Sequence, residues 1–323
     1  MAEGAARAVS RAAPSRARWA HRRAAARVVH PRPGVTTPLF PDTATTRLEE
    51  RGGQRSVVLE SPQGRAVVQA YGAHVTSWQP ADGRGEALFL SERARLDGSA
   101  AIRGGVPVIF PQFGPGPLPK HGFARTRRWR LDDTTPETPG EARARFLLRD
   151  APDTRQLWPH AFDASLTVAL DEGLTITLVV TNTDDAPLAF TAALHTYLRV
   201  SDIEKARVHG LERARVRDQL TRVETVEPST PLAVLGQVDR VYVGAPPRLR
   251  IEDPGTSRTI TLETRGFPDV VVWNPWEEGT REIADLSRDE WRAMLCVEPA
   301  IVAEPVQLAP GAVWEGVQRL TIG

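Results

Sequence analysis

His195 and Glu298 are the two side chains in this 323-residue sequence whose surroundings best suit proton transfer. His195 lies in the run FTAALHTYLRV, where strand alternation would place Thr191, Ala193, His195 and Tyr197 on one face. Phe190, Ala192, Leu194 and Leu198 would then share the other face. A polar face backed by an apolar one suits a cleft wall, and a hydrogen-bonded core or edge histidine accounts for the same pattern. Glu298 lies in MLCVEPA, where a period of two groups it with Cys296, and Pro299 is expected to end the ladder. An unpaired carboxylate is costly to bury, so Glu298 is expected at a rim or matched to a partner. Together an imidazole and a carboxylate supply the two proton-handling groups that general acid–base chemistry requires.

A second set of candidates falls in RGGVPVIFPQFGPGPLPKHGFARTRRWR, from Arg103 to Arg130. Its Gly and Pro residues suit neither a long helix nor a central strand, and long irregular segments of compact domains are commonly functional. Val106, Val108, Ile109, Phe110, Phe113 and Phe123 argue against disorder. The segment reads as an anion-recognising loop with a titratable histidine, His121. Arg103 and Arg125 offer guanidinium forks for a carboxylate or phosphate, and Lys120 adds a flexible charge. Arg127, Arg128 and Arg130 read better as a solvated basic face. Trp273, Asn274 and Trp276 in VVWNPW suit a platform for sugar faces, although core packing better accounts for at least one of the tryptophans. Asp239, in VDRVY, carries little signal by itself, and His74 reads as a strand residue near a cleft wall.

Short strands are expected to position these groups. Ser56 to Glu60 and Arg65 to Trp78 flank the turn Pro62-Gln63-Gly64. Further runs cover Ala144 to Arg149, Ser165 to Leu170, Leu174 to Asn182 and Leu188 to Val200. The rest are Arg248 to Glu252, Thr259 to Glu263, Val270 to Trp273, Met294 to Glu298 and Val313 to Ile322. With 27 Pro, 25 Gly and little helical periodicity, the pattern predicts an all-β chain, a large antiparallel β-sandwich. One short helix is expected at Ser287 to Ala293, opened by a capping box of Ser287 and Glu290.

Net charge is +1, but residues 1–45 carry +6 and the remainder −5. A general nucleic-acid surface on the globular part is therefore not expected. Cys296 is the only cysteine, which excludes an internal disulfide and a cysteine metal cluster and fits a reducing compartment. No apolar run approaches the roughly 20 residues of a membrane span. Residues 1–45 read as a disordered basic leader, a spurious upstream start or a transit peptide, and 46–323 as one domain. We expect a cytoplasmic monomer, or an organellar one if the leader is a transit peptide, without nucleic-acid or membrane partners. No GxxxxGK[ST], strand-linked GxGxxG or HExxH pattern occurs.

Read together, RGGVPVIFPQFGPGPLPKHGFAR, LHTYLRVSDI, DRVY, VVWNPW and CVEPA followed by PGAVWEGVQRL resemble the glucose-6-phosphate 1-epimerases, a branch of the aldose 1-epimerase superfamily. The resemblance covers roughly Ser56 to Gly323. It implies a galactose mutarotase-like supersandwich and an isomerase that needs no metal or other cofactor. By that resemblance His195 and Glu298 are catalytic, while Arg103, Arg125 and Asp239 bind a hexose phosphate. His121 resembles a sugar-hydroxyl ligand. Lys120 stands where the family commonly has Gln, so its substrate contact is the weakest of the set. A mutarotase for unphosphorylated aldoses, a non-catalytic carbohydrate-binding protein, and a glycosidase using Glu298 with Asp239 are the rival readings.

Overall fold

The structure is a computed structural model, described here for residues 39–323. The expected leader falls largely outside the described residues. Its last residues do not: the first strand, Thr45–Arg51, begins inside it.

Antiparallel β-structure dominates, as the turn spacing predicts. One layer is a nine-stranded sheet ordered Leu232–Ala233, Arg207–His209, Arg248–Asp253, Arg258–Arg265, Val313–Ile322, Leu174–Asn182, Phe162–Leu170, Ala142–Arg149 and Arg130–Asp133. Facing it is an eight-stranded sheet whose middle strands are Val238–Val243, Asp269–Asn274, Met294–Leu308 and Leu188–Leu194. Tyr197–Arg199 also pairs with Met294–Leu308. A four-stranded sheet, formed by Thr45–Arg51, Gln54–Ser61, Gly64–Gln69 and His74–Pro80, packs on the Ala142–Arg149 and Phe162–Leu170 strands.

Alternation explains where the core lies. In Leu174–Asn182 every second residue is buried, and Leu174, Ile176, Leu178 and Val180 enter the main core. Phe190, Ala192, Leu194, Val270, Val272, Leu295, Val297 and Ile301 enter the same core from the eight-stranded sheet. The opposite face of that sheet carries two smaller apolar clusters. One contains Ile109, Ala193, Val241, Val271 and Ala300; the other contains Phe89, Tyr197, Leu286, Met294 and Cys296. This second face is therefore not covered by the main core and is free to form a cleft.

Three local expectations change. Arg65 to Trp78 is two strands, because Gly72 and Ala73 take positive φ (77° and 47°) and turn the chain between Gln69 and His74. The helix at Ser287 shrinks to a 3₁₀ turn, Glu290–Ala293, because Met294 already enters the central strand. Half of the capping box survives: the Ser287 N–H donates to Glu290 Oε2 at 2.6 Å. Pro299 does not end its ladder, since the 15-residue strand Met294–Leu308 continues past it. Val297 donates its N–H to Thr196 O, so alternation points the Pro299 nitrogen toward the same side. There the neighbouring chain leaves the ladder between Leu194 and Tyr197, and the missing donor disrupts nothing.

Candidate active site

Two cross-strand rows form the floor of the cleft. Asp239 pairs with Trp273, Trp273 with Cys296, and Cys296 with Tyr197. In the adjoining row Val241 pairs with Val271 and Val271 with Glu298. His195 completes this row from the break between Leu188–Leu194 and Tyr197–Arg199, where its N–H donates to Pro107 O at 3.0 Å. Beneath it, the buried Thr196 hydroxyl donates to Gln318 Oε1 at 2.6 Å and pins the break to the nine-stranded sheet.

The cleft has a volume of about 440 Å³, and all seven candidate residues line it: Arg103, Lys120, His121, Arg125, His195, Asp239 and Glu298. Phe113, Gln219, Val271, Trp273 and Val302 complete much of the wall. Residues up to about 195 positions apart in the chain are thus brought together by strand register and loop closure.

Glu298 is 1% exposed and His195 7%. His195 Nδ1 lies 3.2 Å from Glu298 Oε1. The alignment falls short of a hydrogen bond, and Nδ1 and Glu298 Oε2 are both buried without a hydrogen-bonding partner among the described residues. Such orphaned groups call for an explanation, and a site shaped for a hydroxylic ligand provides one. Tyr197 stacks on the imidazole (centroids 4.7 Å apart, planes 8° apart), while Trp273 meets it edge-on at 6.0 Å. These rings fix the plane of His195 and leave Nε2 toward the cleft. Burial raises the pKa of Glu298 well above the ordinary carboxylate value, with Asp239 adding to the effect and Arg125 opposing it. Burial also pushes His195 well below 6.5, helped by the fields of His121, Arg125 and Arg103. Burial thus favours the neutral form of each member of the pair.

The rim is loop-built. Phe123 and Ala124 both donate N–H groups to Phe110 O at 3.1 Å, closing the loop that carries Lys120 and His121. Gln112 holds it from inside, accepting from Leu118 N at 3.0 Å and donating to Gly114 O and Leu118 O at 3.2 Å. Gly122 is obligatory: φ is +69°, and a Cβ there would lie 2.2 Å from Phe110 O. His121 accepts the Gly114 N–H at Nδ1 (3.2 Å), which leaves Nε2 as the protonated nitrogen. Burial, followed by the charges of Arg125, Lys120 and Arg103, holds its pKa down at about 3. The expected titratable histidine of the loop is thus neutral near pH 7.

The two arginines differ. Arg103 donates from Nε to Asp285 Oδ1 at 3.0 Å and from Nη1 to the Tyr197 hydroxyl at 2.9 Å. Burial opposes its charge, and Tyr197 with Asp285 more than offsets that, moving its pKa up. Arg125 makes no ion pair with an acid among the described residues; its Nη2 donates to Lys120 O at 2.9 Å. Burial lowers its pKa, with Tyr197 opposing and Arg103 adding to the effect. Asp239 is shifted up by burial, with Lys120 opposing.

Of the proposed aromatic platform only Trp273 lines the cleft. Asn274 is buried and donates to Trp291 O and Met294 O, both at 2.8 Å, and Trp276 packs on Trp291. His74 is fully buried outside the cleft, its Nε2 2.7 Å from Gly104 O, where it braces the backbone after Arg103. Asp285 and Gln219 escaped the sequence reading. Asp285 sits in a charge-rich stretch with no periodicity to mark it, and Gln219 adjoins the cleft through its backbone bond to Asp239 O (2.8 Å).

The chain matches the family model described as Aldose 1-epimerase over residues 55–321. It is 41% identical over 261 residues to a Cenchrus ciliaris protein named "Putative glucose-6-phosphate 1-epimerase", covering 78% of this chain and 79% of that one. A protein of the same name from Escherichia coli K12 is 34% identical over 251 residues, 77% of this chain and 83% of the relative. The crystal structure of a Salmonella typhimurium protein described as a "putative mutarotase" superposes with a TM-score of 0.80 at 29% identity, over 88% of this chain and 97% of that one.

Proposed function

The chain belongs to the aldose 1-epimerase family, and from that premise we propose that it interconverts the α and β anomers of glucose 6-phosphate by acid–base ring opening and closure. The observation that carries the reading is the buried His195–Glu298 contact of 3.2 Å at the floor of a cleft rimmed by Arg125, Lys120 and Arg103. The names of the relatives supply the substrate.

Glu298 as carboxylate removes the proton of the anomeric hydroxyl, and protonated His195 delivers one to the ring oxygen as the C1–O5 bond breaks. The aldehyde forms at C1, rotation about C1–C2 presents its other face, and the two groups exchange roles to close the opposite anomer. Both directions need one proton on the pair. In the free cleft, burial favours it on the carboxyl; a sugar hydroxyl donating to Glu298 favours the ionised carboxylate. A phosphate dianion beside Arg125 also offsets the field that depresses His195, so the substrate's remote group helps to place the proton where ring opening needs it. Asp239 and His121 Nε2 hold hydroxyls, and Trp273 presents a ring to the apolar face of the sugar.

Exchange NMR between anomers, run side by side on glucose 6-phosphate and glucose, tests the reading. Acceleration favouring the phosphorylated sugar is expected. Equal acceleration of both sugars would reject the phosphate role, and ligand-induced stabilisation without faster exchange would make the protein a binding module.

A further inference from the structure

We propose that His195, Cys296 and Glu298 form a binding site for a thiophilic divalent cation, zinc in the first instance, which arrests the acid–base pair by coordinating both of its members. The arrest rests on the catalytic reading above, whereas the binding does not.

A ligand atom from each of the three residues lies within 4.8 Å of the other two. His195 Nδ1 and Glu298 Oε1 are already 3.2 Å apart. Zinc bonds of about 2.0–2.3 Å in tetrahedral array hold ligand atoms about 3.3–3.8 Å apart, so the thiol has to shift by about an ångström at most. His195 Nδ1 and Glu298 Oε2 are buried without hydrogen-bonding partners among the described residues, so both are available. Cys296 is fully buried on the cleft side of its strand, between Tyr197 and Trp273 in register, and proton transfer makes no use of it.

One nitrogen, one thiolate and one carboxylate oxygen are a donor set for zinc; a hard cation such as magnesium would find a single oxygen. As the zinc–sulfur bond forms, the thiol proton leaves to solvent, and so does the carboxyl proton where Glu298 carries one. The two charges of the ion then balance thiolate and carboxylate, which suits a buried site. Three protein ligands leave the fourth position of a tetrahedral ion to water. With Nδ1 bound, the imidazole can no longer become an imidazolium and its cleft-facing Nε2–H is no longer an effective acid, and the bound carboxylate is no longer free to act as a base. The competing account is that Cys296 is a small buried hydrophobe and nothing more.

The full-length enzyme is titrated with zinc, cobalt and magnesium while anomer exchange and the near-ultraviolet spectrum are followed. Zinc is expected to stop exchange, a chelator to restore it, and magnesium to have no effect. Cobalt should produce a thiolate charge-transfer band. Cys296→Ala should exchange anomers normally, lose the cobalt band, and require at least about tenfold more zinc for the same arrest, a difference of ~1.4 kcal/mol. Equal zinc sensitivity in the two proteins, or no cobalt band in the wild type, overturns the proposal. Should Cys296→Ala fail to fold, Cys296→Ser and the wild-type cobalt spectrum decide it. A cobalt band in a protein that exchanges no sugar would keep the metal site and sink the mutarotase reading; an active enzyme indifferent to zinc and cobalt would do the reverse.

Discussion

The floor and the rim of the cleft are built from different kinds of backbone. On the floor, Glu298 and Asp239 sit in paired strands and His195 in a two-residue break between two strands, so register sets their positions. On the rim, Lys120 and His121 sit on a loop closed by two bonds to Phe110 O and by Gln112, and Arg125 follows in the 3₁₀ turn Ala124–Thr126. Their electrostatics differ as well. The floor pair is almost wholly removed from water, which moves both pKa values toward the neutral forms. Lys120, by contrast, is exposed. A rigid, dry floor suits bond making, where small displacements are costly, and a wetter rim suits recognition of a charged group whose own solvation must be exchanged gradually.

If this contrast holds, floor variants should lose turnover and rim variants should lose selectivity. The largest effect is expected for His195→Ala and Glu298→Gln: each should slow catalysed exchange by about 10²- to 10⁴-fold on any sugar, with an unchanged melting profile. Near-normal exchange in either protein would remove it from the chemistry. Next comes Arg125→Ala, which should cost about 1.5–3 kcal/mol in kcat/KM for glucose 6-phosphate and little for glucose. Arg103→Ala should impair both sugars, because it also releases Asp285 and the hydroxyl of Tyr197, whose ring stacks on His195. Identical sugar profiles for the two arginine variants would erase the distinction between them.

A pH profile sharpens the comparison further. Activity should be lost on the acid side when the pair takes up a second proton and on the alkaline side when it loses its last. Arg125 helps to depress His195, so Arg125→Ala should raise the histidine's proton affinity and move the acid limb of kcat/KM to higher pH. An unmoved limb would separate floor from rim electrostatically. The smallest effect is expected for Lys120→Gln, whose exposed charge should alter KM for the phosphorylated sugar by no more than about fivefold, at most ~1 kcal/mol. A larger loss would promote Lys120 to a principal phosphate contact.

Much of the fold was legible because alternation and turn chemistry are local. The strand runs from Ala144 to Asn182, and the split of Thr191, Ala193 and Tyr197 from Phe190, Ala192 and Leu194, follow from side chains pointing to opposite faces. Local rules failed where a neighbour mattered. Pro299 reads as a strand end in isolation, and it persists in a central strand because the chain beside it departs at His195. Ser287 and Glu290 announce a helix, and the demand of the sheet for Met294 cuts it to one turn.

Residue types and spacing alone settled the class of structure and nominated an imidazole, a carboxylate and a set of cations, because hydrophobic alternation and chemical character are written one residue at a time. Tertiary structure decided what these groups are to one another. Only folding brings His195 Nδ1 to 3.2 Å from Glu298, ties Arg103 to Asp285, leaves Arg125 without an acidic partner among the described residues, and sets Cys296 behind the pair. Separation in space and exclusion of water, which set charge and reactivity, are properties of packed neighbours, and a linear pattern carries neither.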